Sequence, residues 1–165
     1  MKVELTDQHR WLEQLAGEWS VTGECSMGPD QPPMTTEMRE SARTMQGAWL
    51  LAEGSGDTPD GGSMTSLLQL GYDPARGKFV GTFTASMMTH LWVYEGSLDA
   101  SGKILTLDTV GPVFGGPEFG APGTLAKYQD IIEIEDADHR VMRSRLQAPD
   151  GQWHPVMTAR YKRRT

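Results

Sequence analysis

Residues 17–25, Gly17-Glu18-Trp19-Ser20-Val21-Thr22-Gly23-Glu24-Cys25, set Trp19, Val21 and Cys25 on one side of an extended chain and Glu18, Ser20, Thr22 and Glu24 on the other. Alternation with period two marks a strand with one buried face and one wet face. The stretch before it has a different period. Trp11, Leu12 and Leu15 share one helical stripe, Leu5-Thr6-Asp7 offers a staple residue, an N-cap and an early acid, and Gly17 is a natural stop. Two turns of helix are too short to hold alone, so this one is expected to plug something larger.

Period two then continues along the chain. After a polar Gly/Pro loop (SMGPDQPP, residues 26–33) comes a long alternation from Met34 to Met45. Further strand candidates follow at AWLLAEG, MTSLLQLGY, KFVGTFTA, LWVYEGSL, KILTLDTV, LAKYQDIIEIE, RVMRSRLQ and WHPVMTARYK. DPARGK, DASGK, EDADH and APDGQ are tight turns between them. Connections this short exclude the parallel crossovers of an α/β fold. About ten antiparallel strands with one wet face close on themselves or fold into two layers, which disposes of their edges. The expected fold is all-β: an antiparallel up-and-down barrel of about ten strands with a short N-terminal helix, forming a single domain over residues 1–165. Pro155 argues for a strand end or bulge in the last strand, and an edge there is a candidate pairing surface for a homodimer. The stretch GPVFGGPEFGAPG (Gly111 to Gly123) reads as a lid loop too poor in ladder donors to be a strand, with Phe114 and Phe119 as its apolar tips.

Composition narrows the function. With 15 Lys+Arg against 22 Asp+Glu, the net charge of −7 leaves no basic face for nucleic acid. No apolar run is long enough for a membrane-spanning helix, and the start lacks the apolar stretch of a signal peptide. The single Cys25 excludes an internal disulfide and suits a reducing cytoplasm, the expected location. G-x-S-x-G, H-E-x-x-H, C-x-x-C and P-loop motifs are all missing, so no cofactor is expected.

The Gly17-Glu18-Trp19 signature after a short helix resembles the start of the lipocalin-like (calycin) barrels. More narrowly, LEQLAGEWSVTGE, ESARTMQGAWLLAEGSG, LLQLGYDPARGKFVGTF, WVYEGSLDASGKILTLDTVGP and the KYQDIIEIEDADHRVMRS and ARYKRR stretches are similar to the bacterial family known as domain-of-unknown-function 1579. The resemblance implies a ligand-binding type of barrel whose Trp19 closes one end, with an Arg of the last strand packed across it. Of Arg160 and Arg163 in TARYKRR, only Arg163 shares the parity that this requires.

The same parity nominates an inner face. Met38, Met87, Met88, Trp92, Tyr94, Tyr128, Met142, Trp153 and Met157, with Phe114 and Phe119 as lid, are the expected lining for a small, largely apolar ligand. Glu40 and Asp130 also fall inward. Each needs a partner, since a buried unpaired carboxylate costs several kcal/mol. Arg143 and Arg145 face outward, which leaves Tyr94, Tyr128 or His90 as candidate donors. Glu40 and Asp130 could grip a ligand's polar head, or join His90 as acid/base groups of an isomerase or hydrolase. No two of the four histidines have metal-ligand spacing. His154 could serve as the axial ligand of a haem, as in barrels resembling nitrobindin. A third reading is a barrel filled by its own side chains, acting through its surface.

Overall fold

The computed structural model describes residues 2–28 and 30–165, so Pro29 of the first polar loop lies outside the described residues. Helix α1 (Asp7–Glu13) comes first. Ten strands follow: β1 (Gly17–Cys25), β2 (Met34–Met45), β3 (Trp49–Asp57), β4 (Ser63–Asp73), β5 (Lys78–Ala85), β6 (Trp92–Leu98), β7 (Ile104–Pro112), β8 (Leu125–Ile134), β9 (His139–Gln147) and β10 (Trp153–Arg163). Each strand pairs antiparallel with its neighbours in sequence, and β10 returns to β1, closing the barrel. β10 is bonded to β9 throughout but to β1 only from Met157 onward, so Trp153, His154 and Pro155 pair on one side alone.

Turn chemistry sets the hairpins. The Asp73 carboxylate accepts the Ala75 N–H at 2.9 Å, and Gly77 takes a left-handed φ of 64°. Asp99 and Asp150 accept the backbone N–H groups of Ile104 and Gln152 in the same way. One departure concerns the long loop. Gly111 and Pro112 extend β7 opposite Ala126 and Leu125, so the loop proper begins at Val113 and holds a short 3₁₀ turn, Pro117–Phe119. Gly111 tolerates no side chain because a Cβ there would collide with the Trp92 ring.

Helix α1 stops one end of the barrel. The His9 ring accepts the Thr6 N–H at 3.0 Å, the Trp11 indole N–H donates to the Gly102 carbonyl at 2.6 Å, and Leu12 and Leu15 are each 1% exposed. They join Leu50, Leu70, Phe79, Leu105, Leu107 and Ile132 in one cluster that fills this half of the interior and runs on to Trp92, Tyr94, Tyr128 and Leu146 toward the other end. The other end is ringed by the β1–β2, β3–β4, β5–β6, β7–β8 and β9–β10 loops.

Truncating the plug tests this arrangement. Leu12→Ala is expected to cost about 3 kcal/mol in urea unfolding, whereas Leu125→Ala, at a side chain 64% exposed, is expected to cost less than about 0.5 kcal/mol. Equal small losses would mean that α1 is not part of the core.

Candidate functional site

The plugged end carries a charged closure. Trp19, 1% exposed, donates its indole N–H to the Leu15 carbonyl at 3.0 Å. Two guanidinium groups stand over its ring, Arg163 at 4.2 Å and Arg140 at 4.4 Å from the centroid. Arg163 donates to the carbonyls of Ala16 (2.8 Å), Gln14 (3.3 Å) and Ala137 (3.0 Å), and Arg140 to that of Leu15 (3.0 Å). Carbonyls at a helix C-terminus lack intrahelical donors and carry partial negative charge, so two cations suit them.

Arg140 is also the partner of Glu40. The two form a buried ion pair, and the guanidinium lies 4.1 Å over the Tyr161 ring. Burial pushes the Glu40 carboxyl up from its ordinary pKa, and the charge and hydrogen bond of Arg140 pull it back. Burial likewise raises Tyr161. The neutral donors expected for Glu40 are therefore replaced by a cation. HRVMRSRLQ carried the signal, because Arg140 shares the parity of Met142, Ser144 and Leu146.

Asp130 sits on the barrel's inner face opposite Ser144. Its Oδ2 accepts the Tyr94 hydroxyl at 2.5 Å. Burial raises its pKa, while hydrogen bonds from Tyr94 and Ser144 lower it. Tyr94 is itself pushed well up, first by burial and then by the Asp130 charge. Beside this pair, Thr109 lies across from Tyr128, and Thr109 Oγ1 is buried with no hydrogen-bond partner.

Toward the loop-ringed end the inner face becomes accessible. Met38, Leu68, Phe83, Asp130, Met142, Ser144 and Met157 are half-buried, whereas Glu40, Leu70, Phe79 and Ile132, nearer α1, are buried, as are Trp92, Tyr94, Tyr128 and Leu146 on the facing strands. These half-buried positions outline one part of the interior, the cup, above the packed floor. Trp92 and Tyr128 are buried in its wall, ring against ring at 5.0 Å. The Trp92 N–H points to Met88 Sδ (3.0 Å), and the Tyr128 hydroxyl donates to the Pro112 carbonyl (2.6 Å), which fixes the start of the long loop. Phe119 folds in and meets His154 edge-on at 5.3 Å.

Four expected positions differ. The ladder between β9 and β10 slips between Pro155 and Met157, so parity reverses: His154 shares the inner face with Leu146, and Trp153 shares the outer face. There Arg145 stacks on Trp153 at 4.9 Å. Met87 stands exposed on the turn after β5, where no strand turns it inward, and Phe114 is also exposed. His154 has Phe119 beside its ring, so an axial-ligand role would require that loop to move. Among the described residues no group of His, Cys, Asp and Glu side chains is placed to hold a metal ion.

The three acid/base candidates do not form one group. Glu40 pairs with Arg140 and Asp130 with Tyr94, while the His90 ring contacts the Val110 carbonyl at 2.9 Å and Trp92 edge-on at 4.9 Å. Cys25 is a half-buried thiol whose pKa is raised by burial, which suppresses its thiolate.

The profile of a family described as "Protein of unknown function (DUF1579)" matches residues 4–163. The chain belongs to that family. The crystal structure of Rv2717c from M. tuberculosis is similar to this DUF1579 barrel with TM-score 0.61, at 15% identity over 98% of this chain and 100% of that one. The S-type phycobiliprotein lyase CPES from Guillardia theta is similar with TM-score 0.57, at 14% identity over 98% and 94% of the two chains. At such identities the likeness establishes the lipocalin-like fold and no activity. No curated protein matches the DUF1579 chain, and among its described residues no helix is long and apolar enough to cross a membrane.

Two predictions follow from the charges. Arg140→Met strands the Glu40 carboxylate and is expected to cost about 3–5 kcal/mol, while Glu40→Leu/Arg140→Met costs less than the single change; a double variant worse than the single in urea unfolding would contradict this. Because the folded pKa of Asp130 is raised, its contribution to stability is present below the ordinary aspartate range and lost as pH climbs through the folded value. Asp130→Asn is therefore expected to gain on the parent protein as pH rises from the ordinary aspartate range through the folded value. A difference in unfolding free energy that does not change with pH would refute the assignment.

Proposed function

We propose that this protein binds a small, largely apolar molecule in the cup and performs no chemistry on it. The observation that carries the reading is the contrast along the barrel axis. On β2, β4 and β5 the inner-face parity that is buried near α1 at Glu40, Leu70 and Phe79 becomes half-exposed toward the loops at Met38, Leu68 and Phe83, while Trp92, Tyr94, Tyr128 and Leu146 of the facing strands stay buried. Apolar surface held open to water in a rigid frame gains free energy when a ligand covers it, and methionines adapt to the ligand's shape. The contacts expected for the ligand are Met38, Met142 and Met157 on one wall and Trp92, Tyr94 and Tyr128 on the other, with Phe119 of the long loop over one side.

Glu40 and Asp130 each have a partner of their own, Arg140 and Tyr94, and His90 stands apart on Val110 and Trp92, which favours binding over acid/base catalysis by the three together. A single free cysteine agrees with a reducing cytoplasm as the working compartment.

N-phenyl-1-naphthylamine, an apolar probe that brightens out of water, is expected to bind one per chain. Met157→Arg, which places a cation in the cup, is expected to weaken binding at least tenfold while the melting curve stays cooperative. A wild-type protein that leaves the probe dark, or a variant that binds it unchanged, would overturn the reading.

A further inference from the structure

Asp130 is a charged feature of the cup that apolar binding does not use. Glu40, Arg140 and Asp130 are acidic or basic side chains that face the barrel interior between its closed end and mid-depth. The only cation among them is already committed, since Arg140 bonds Glu40 and the Leu15 carbonyl. Arg163 is held at the closed rim by three backbone carbonyls. Asp130 is left with two neutral hydroxyl partners, Tyr94 and Ser144. A carboxylate offers about four acceptor sites, so part of its capacity stays free. That capacity faces the cup, since Asp130 and its cross-strand neighbour Ser144 are both half-buried on the inner face.

A second group in the same place is unsatisfied. Thr109 is 7% exposed, and its hydroxyl has no partner among the described residues. It lies on the inner face of β7, two residues beyond the Leu107 that pairs with Asp130, and directly across from Tyr128. A native interior seldom leaves both a hydroxyl unpaired and, on the adjacent strand, a carboxylate without a cation. Aromatic rings complete the surroundings: Tyr94 on Asp130 itself, and Trp92 and Tyr128 edge to face beside it. An anionic group, a spare hydroxyl and π faces under an apolar funnel are the chemistry that holds an ammonium group.

Resting on the cup reading, we propose that the ligand is an amphipathic primary amine whose ammonium group bonds Asp130 at the floor while its apolar part lies along the Met-lined wall. The acidic chain, with net charge −7, adds a long-range attraction for such a cation.

The test is competition against N-phenyl-1-naphthylamine at pH 7 with three molecules of equal chain length: nonylamine, nonanol and nonanoate. The amine is expected to displace the probe at a concentration at least tenfold lower than the alcohol, with the carboxylate weakest. Asp130→Asn is expected to erase the advantage of the amine over the alcohol, and Glu133→Gln on the outer face to keep it. If the probe binds but amine and alcohol compete equally, or if Asp130→Asn retains the preference, the amine assignment falls and the cup stands. If the probe does not bind, both fall. Should Asp130→Asn fail to fold, the wild-type ratio of amine to alcohol decides alone.

Discussion

Two guanidinium groups over the Trp19 ring hold the closed end together. Everything that reaches that end is tied to them. The carbonyls at the end of α1 take their donors from Arg140, Arg163 and the indole N–H. Glu40 of β2 is neutralised by Arg140 of β9, and Tyr161 of β10 lies against the same guanidinium. Strands from both sides of the closing seam thus meet on one stack. The stack combines the specificity of buried charge with the packing of large rings, and it lets a seven-residue helix act as a stopper although it could not persist alone.

With one end sealed in this way, the other can stay open. A barrel interior filled from end to end gives a solid core, and one open throughout has too little apolar contact for a small domain. Here the work is divided along the axis. Leucines, Phe79 and Ile132 fill the half beneath α1 and continue into Trp92, Tyr94, Tyr128 and Leu146 along one wall, while the methionines and Phe83 of the opposite wall are half-exposed. The two inner carboxylates follow the same division. Glu40 is compensated and belongs to the closure, whereas Asp130 has hydroxyl partners only and belongs to the cup.

Much of this was legible in the sequence because period two is a strong signal. Residues 17–25, the turns built on Asp73, Asp99 and Asp150, and the helical stripe of Trp11, Leu12 and Leu15 each carry their structure locally. The barrel's closure follows from the count of strands and the shortness of their connections. The inner face was legible only where the ladder is regular. Past Pro155 a single slipped residue exchanges Trp153 for His154, and a proline flags a bulge without fixing the residue at which parity reverses. The Glu40–Arg140 pair spans one hundred positions, and pairing at that distance depends on which strands end at the same rim. Among the β9 arginines, Arg143 and Arg145 are weighed from the sequence and Arg140 is passed over; its pairing with Glu40 becomes evident only with the register in hand. The exposure of Met87 and the extension of β7 through Pro112 are likewise matters of where a strand stops, the least determined property of a local pattern.

The division of the barrel into a sealed half and an open cup is the claim on which the functional account stands. Its most direct measurement is a methyl NMR spectrum of protein labelled with ¹³C at its methionine methyl groups, recorded with and without N-phenyl-1-naphthylamine. The account predicts that the signals of Met38, Met142 and Met157 shift on addition of the probe, while those of the exposed Met27 and Met45 stay in place. Shifts confined to Met27 and Met45, with the three inner signals unmoved, would contradict it.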